Sequence, residues 1–259
     1  MTGFRPRLSP VTARAWRARW DRQQDRLVPD RSRRFDRIAS MLGGVLGPRF
    51  RALDLGCGTG SLSEHILAAN LRARMVALDF DPVLLALGRT ALGDLGGRLT
   101  WAEADLRERD WASRLPPGRY DGAVSSTALH WLTEAELSRT YAIVARRLRP
   151  GGLFLNSDHL AYDPRSVRLT RWDRRQRHRL RPAPSARSGE TWAEWWRAAL
   201  SDPRLADEAA LHRLRFPRAH VRTPTPDLAG HVRLLRRAGF REVEVVWADG
   251  PARILAAVR

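Results

Sequence analysis

Residues 51 to 66 read RALDLGCGTGSLSEHI: an apolar run, then Gly56, Gly58 and Gly60 within five positions, then a stretch with helical spacing. Glycine raises the entropic cost of ordering a turn, so three together imply a backbone that must adopt left-handed conformations or admit another group closely. In a parallel sheet such a strand-to-helix turn lies at the carboxyl ends of the strands, where ligands bind. The stretch therefore predicts both an α/β fold and the place of its site.

Outward from it, short apolar runs alternate with helical stretches: ARMVALDF, DPVLLALGRTAL, RLTWAEAD, YDGAVSS, TEAELSRTYAIVARRL and GGLFLNS. That alternation predicts an α/β domain around a parallel sheet. Upstream, Trp16, Trp20 and Leu27, then Phe35, Ile38 and Leu42, recur at helical spacing on either side of Pro29, which suits two amphipathic helices. From 161 to 220 the rhythm breaks into helical and loop character, and RPAPSARSG reads as a turn or mobile segment. The chain closes with a helix stopped by Gly239, an alternating strand through Val243, Val245 and Trp247, a DG turn and a last strand.

The 259 residues are enough for one domain with an embellishment. Cys57 is the sole cysteine, so neither a disulfide framework nor a cysteine zinc site is available, and a cytoplasmic setting is expected. No long apolar run suggests a membrane span or a signal peptide. All 46 basic residues are arginine, which leaves no lysine for Schiff-base chemistry. The net charge of +18 lies in the flanks: residues 1 to 50 carry +8, residues 51 to 160 carry zero and residues 161 to 259 carry +10.

A dinucleotide-binding G-x-G-x-x-G turn is the main rival reading of the glycine loop, but its third glycine would fall on Ser61. Asp54 ahead of the loop would also repel a pyrophosphate. Instead ALDLGCGTG resembles the first motif of class I S-adenosylmethionine-dependent methyltransferases. Further motifs follow in order: MVALDFD, AEAD, YDGAVSSTALHWL, LRPGGLFLNS and the terminal hairpin. The resemblance covers roughly residues 50 to 160 and 228 to 259.

It implies a Rossmann-like seven-stranded, mostly parallel sheet with an antiparallel last strand. In that frame residues 1–48 form a helical cover, 49–160 and 221–259 the core, and 161–220 a helical lid insertion. The implied cofactor, S-adenosyl-L-methionine, would be held by Asp54, Gly56, Cys57, Gly58, Gly60, Asp79, Phe80, Ala104, Asp105 and Ser125. Asp79 would take the ribose hydroxyls, Ala104 would lie against the adenine and Asp105 would accept from its amine. The subgroup it resembles is that of the trans-aconitate and ubiquinone-biosynthesis methyltransferases, which implies a small organic acceptor without identifying it; the arginines of residues 165 to 181 would also suit an anionic one.

Methyl transfer from a sulfonium is an in-line displacement, so the protein must position the acceptor and remove a proton. His130, at the exit of the fourth strand, is the candidate base; a helix-start histidine that only packs is the alternative. Asp158 and His159 form a second candidate pair on the same rim. The segment reads SSTA where enzymes that methylate base amines carry an Asn- or Asp-Pro-Pro-aromatic element, which disfavours that class. No cluster has metal-ligand spacing, so a metal-independent reaction is expected. Trp192, Trp195 and Trp196 are expected to bury the insertion against the core. Residues 165 to 181 hold eight arginines with Trp172 and His178 between them, which keeps an RNA acceptor open as an alternative. A catalytically silent binder of the cofactor is a third reading.

Overall fold

The computed structural model describes residues 7–28, 30–179, 189–217 and 226–259. Most of the RPAPSARSG stretch, and the side chain of His178, lie outside the described residues. Strands β1 (Arg51–Leu55), β2 (Arg74–Asp79), β3 (Leu99–Glu103), β4 (Tyr120–Ser126), β5 (Leu148–His159), β6 (Glu242–Asp249) and β7 (Ala252–Val258) form one sheet in the order β3-β2-β1-β4-β5-β7-β6. The first five pair in parallel, and β7 runs antiparallel to both β5 and β6. The seven-stranded sheet with one reversed strand is therefore as the sequence implied. β1 and β7 are buried along almost their whole length, which is why neither alternates apolar with polar residues.

Helices close both faces. α2 (Arg31–Leu46), α3 (Ser61–Ala69) and α4 (Pro82–Leu92) contribute Phe35, Ile38, Leu42, Ile66 and Leu85 to one apolar layer. α5 (Glu134–Arg147) and α9 (Leu228–Arg237) supply Tyr141, Val144, Leu234 and Leu235 to the other. Their starts are written locally. Asp81 accepts from the N–H groups of Val83 and Leu84 with Pro82 at the first turn of α4, and Thr133 and Glu136 form a reciprocal capping box on α5.

A third apolar cluster holds the remaining elements to α4. α1 (Pro10–Leu27), α7 (Trp192–Ser201) and the turn at Pro203–Leu205 bring Trp16, Trp20, Trp195 and Trp196 against Val83, Leu84 and Leu87. Trp195 is fully buried, with the rings of Trp16, Trp20 and Trp196 edge-on at 5.6, 4.7 and 5.0 Å. Trp192 stays 41% exposed, so burial accounts for two of the three tryptophans singled out in this segment. α8 (Ala206–Arg215) then reaches the tips of β2 and β3, where Arg215 donates to the Phe80 carbonyl at 2.7 Å and pairs with Glu103 at 2.5 Å. α6 (Val167–Arg179) lies elsewhere, with Asp173 so close to the β6–β7 turn that a Cβ on Gly250 would sit 2.5 Å from its carboxylate. Among the described residues no helix is long and apolar enough to cross a membrane, and no three His, Cys, Asp or Glu side chains gather as a metal site would.

Candidate active site

The glycine loop joins β1 to α3 with Gly56, Gly58 and Gly60 at φ of 71°, 56° and 82°. Space as well as conformation demands glycine at two of them. A Cβ on Gly56 would lie 2.4 Å from the Ala128 Cβ, and one on Gly60 would lie 2.5 Å from the Trp101 ring. Gly58 differs, since a Cβ there would meet only Leu84 at 4.0 Å, which leaves its backbone open to a ligand.

Carboxylates order this loop. Asp79, at the end of β2, accepts from the N–H groups of Gly58 (2.7 Å), Phe80 (2.7 Å) and Asp81 (2.9 Å). Asp54, at 1% exposure, accepts from the Ser63 hydroxyl at 2.7 Å and so ties β1 to the first turn of α3. α1 latches the loop from above: Arg17 donates to the Thr59 carbonyl at 3.0 Å and pairs with Glu64 at 2.8 Å, while Asp21 accepts from Ser61 at 2.6 Å. Neither Arg17 nor Asp21 carries a sequence signal for this role, because the contacts span some 40 residues.

The other expected cofactor residues line the same end of the sheet. Phe80 is partly buried between the Arg107 and Arg215 guanidinium groups, at 5.3 and 4.6 Å from its ring, with Phe216 edge-on at 5.8 Å. Ala104 is buried and donates its N–H to the Asp79 carbonyl at 2.9 Å. Asp105 has both oxygens engaged by Arg107, at 2.7 to 2.9 Å. Ser125 is fully buried and donates to the Leu55 carbonyl at 2.8 Å, so it fastens β4 to the mouth of β1. Asp81, two residues after Asp79, is occupied in capping α4 and in pairing with His212 at 2.7 Å, whose ring stacks on Trp196 at 4.5 Å.

Burial raises the Asp54 carboxyl to about 7, the nearby Asp79 charge adding to it against the Ser63 hydrogen bond. Burial likewise raises Asp79 to about 6 against its backbone donors. Burial and those same two carboxylates push the Cys57 thiol well above its usual value, so it rests as a packed thiol, 9% exposed, rather than a nucleophile.

Across the loop from Gly56, β4 ends in a single helical turn at Leu129–Trp131 that carries His130. The sequence offered Asp158 and His159 as a second candidate pair on this rim. The structure pairs Asp158 with His130, whose Nδ1 lies 2.9 Å from Asp158 Oδ1 and 3.1 Å from Oδ2. His159 donates its backbone N–H to Asp158 at 2.7 Å, and its side chain is exposed. Burial alone would raise Asp158, but the bond to His130 and the His159 N–H reverse this and hold its carboxyl below the usual range. The ionised carboxylate fixes the Nδ1–H tautomer and leaves Nε2 as the basic nitrogen. The His130 side chain keeps 18% exposure, and the Trp131 ring lies 4.9 Å away, 39% exposed. Behind Asp158, Tyr141 and His231 share a 2.7 Å hydrogen bond, and burial lowers His231 to about 4, so it stays neutral.

Residues 52–152, from β1 to β5, match the family described as a methyltransferase domain. Residues 52–152 carry a methyltransferase domain of the class I S-adenosylmethionine-dependent type. It is 31% identical over 153 residues to a trans-aconitate 2-methyltransferase of Azoarcus sp. (strain BH72), covering 59% of this chain and 55% of that one. It is 27% identical over 136 residues to a malonyl-[acyl-carrier protein] O-methyltransferase of Anoxybacillus flavithermus, covering 49% of each. The chain thus spans about half the length of the curated relatives it matches. The magnesium protoporphyrin IX methyltransferase of Synechocystis PCC 6803, solved with bound S-adenosylhomocysteine, superposes with a TM-score of 0.53 at 17% identity, over 88% of this chain and 82% of that one. That likeness is one of fold.

The residues at the mouth of this methyltransferase domain fit its cofactor. The Gly58 backbone is open to approach, and two carboxylates whose ionisation burial opposes are ready for hydroxyl and ammonium donors. An ammonium group donated to either carboxylate would favour its ionised form, so that binding would release a proton. S-adenosylhomocysteine affinity therefore rises about tenfold from pH 6 to pH 8, as titrating a group near pH 7 requires. Calorimetry in buffers of differing ionisation enthalpy checks both the rise and the released proton, and a flat profile would remove Asp54 and Asp79 from cofactor contact.

Proposed function

We propose that the domain transfers the methyl group of S-adenosylmethionine to an oxygen or nitrogen of a small organic acceptor, with His130 as the base. The buried Asp158 that holds His130 Nδ1 beside the glycine loop carries this reading. The cofactor, when bound, supplies an electrophilic methyl group on a sulfonium. Asp54, Asp79 and the loop backbone hold it in place. His130 Nε2 takes the acceptor proton, Asp158 orients the imidazole and stabilises its charged form, and Trp131 offers an apolar surface beside it. Asp158 acts through His130 and is a positioning residue.

A second reading takes RNA as acceptor. On and just before α6, Arg165, Arg168, Arg171, Arg174 and Arg175 are exposed, and Trp172 is 60% exposed among them. Basic groups around an aromatic plane suit a single strand. One experiment separates the readings. The purified protein is incubated with methyl-labelled S-adenosylmethionine and cell extract, and the products are resolved by size and nuclease sensitivity. Label in small solutes is the expected result. Label in nuclease-sensitive material makes α6 a substrate track, and absence of label across extracts favours a silent binder.

A further inference from the structure

Arg107 stands two residues past Asp105, where the chain leaves β3. Its Nε donates to both Asp105 oxygens at 2.9 Å and its Nη2 to Oδ2 at 2.7 Å, so guanidinium and carboxylate meet as a fork. The guanidinium carbon also lies over the Phe80 ring, 5.3 Å from its centre. A flat group that donates N–H bonds is thus held between an aromatic ring and a carboxylate. Both stand beside Asp79, whose carboxylate takes the Phe80 N–H and whose carbonyl takes that of Ala104, at the end of the sheet where ligands bind.

The two guanidinium groups at Phe80 are not equivalent. Arg215 is fastened from α8, to the Phe80 carbonyl at 2.7 Å and to Glu103 at 2.5 Å. Arg107 reaches Asp105 with a side chain that is 43% exposed, so it can turn out to water without moving the backbone. Asp105 would keep its orientation when it does, because Oδ1 also accepts the Arg107 backbone N–H at 2.9 Å. The bonds to Oδ2 come from the side chain and go with it. With the Asp105 side chain only 13% exposed, water replaces that donor poorly, and Oδ2 becomes the atom that seeks one.

The adenine of S-adenosylmethionine has the two properties of this guanidinium, a plane and exocyclic N–H donors. We propose that Arg107 is an internal competitor for the adenine, holding Asp105 Oδ2 and the Phe80 ring until the base displaces it. This rests on the methyltransferase reading above. The apparent cofactor affinity is then the intrinsic one reduced by the fraction of molecules in which Arg107 has turned away. Removing the guanidinium therefore tightens binding, whereas removing an ordinary contact residue would weaken it.

Wild type and Arg107→Ala are titrated calorimetrically with S-adenosylhomocysteine and with 5′-methylthioadenosine, which carries the base without the amino-acid end. Neither ligand has a net charge at neutral pH, so the lost arginine charge does not by itself favour them. The expected result is that Arg107→Ala binds S-adenosylhomocysteine about three- to tenfold more tightly, and that 5′-methylthioadenosine gains by the same factor. Unchanged affinity overturns the proposal, as does a gain confined to S-adenosylhomocysteine. A loss of affinity overturns it too and makes Arg107 a cofactor contact. A crystal structure of the wild type with S-adenosylhomocysteine stands whatever the variant does: Asp105 is expected to have exchanged the Arg107 side chain for the base, and a fork still closed in the loaded protein overturns the proposal. Failure of the wild type to bind S-adenosylhomocysteine would instead remove the methyltransferase reading itself.

Discussion

His130→Gln lowers kcat by about a hundredfold to ten-thousandfold, the range for losing a positioned general base, and leaves S-adenosylhomocysteine affinity within about twofold. Glutamine is the informative replacement because its amide can still donate toward Asp158, which at 2% exposure would otherwise be a buried charge without a partner. The two readouts separate the roles: a group that takes a proton alters turnover, whereas a group that shapes the loop would alter cofactor affinity too. Asp158→Asn follows with a smaller loss and an altered pH profile, since an amide no longer fixes the Nδ1–H tautomer. If His130→Gln retains full activity on an acceptor found by the labelling experiment, His130 only packs against Trp131.

Trp195→Ala destabilises the fold by about 3–5 kcal/mol, as expected for emptying a fully buried tryptophan site. Three other tryptophan rings rest edge-on against this one, from α1 and from α7 itself, so no single neighbour can close the space it leaves. Trp192→Ala is the internal comparison: at 41% exposure it should cost about 1 kcal/mol or less. Urea midpoints at constant m-value measure both. Similar costs for the two would mean that Trp195 is not the centre of the cluster in solution.

The glycine loop, the strand-helix alternation and the reversed last strand were legible because each is encoded within a few neighbouring residues. A left-handed turn favours glycine where it occurs, and a strand covered on both faces is mostly apolar along its length. His130 was legible as a candidate for the same reason, since it follows β4 directly. Its bond to Asp158 was not, because adjacency in the chain says nothing about which side of a strand a residue faces. Arg215 and Glu103 stand 112 positions apart, and His212 and Asp81 stand 131 apart. Such contacts are products of the assembled sheet and leave no periodicity in a single sequence. The arginine-rich composition concealed them further, because every functional arginine sits among many that only meet solvent.

The latch between α1 and the glycine loop ties together parts of the chain that look independent. Arg17 and Asp21 join the loop to α1, and Trp16 and Trp20 on that same helix join it to Trp195 on α7. Any ligand that quiets the loop therefore lowers the free energy of the docked α1, and through the indole cluster that of α7. Occupancy at the mouth of β1 and rigidity of a helix some 130 residues downstream become two readings of one equilibrium.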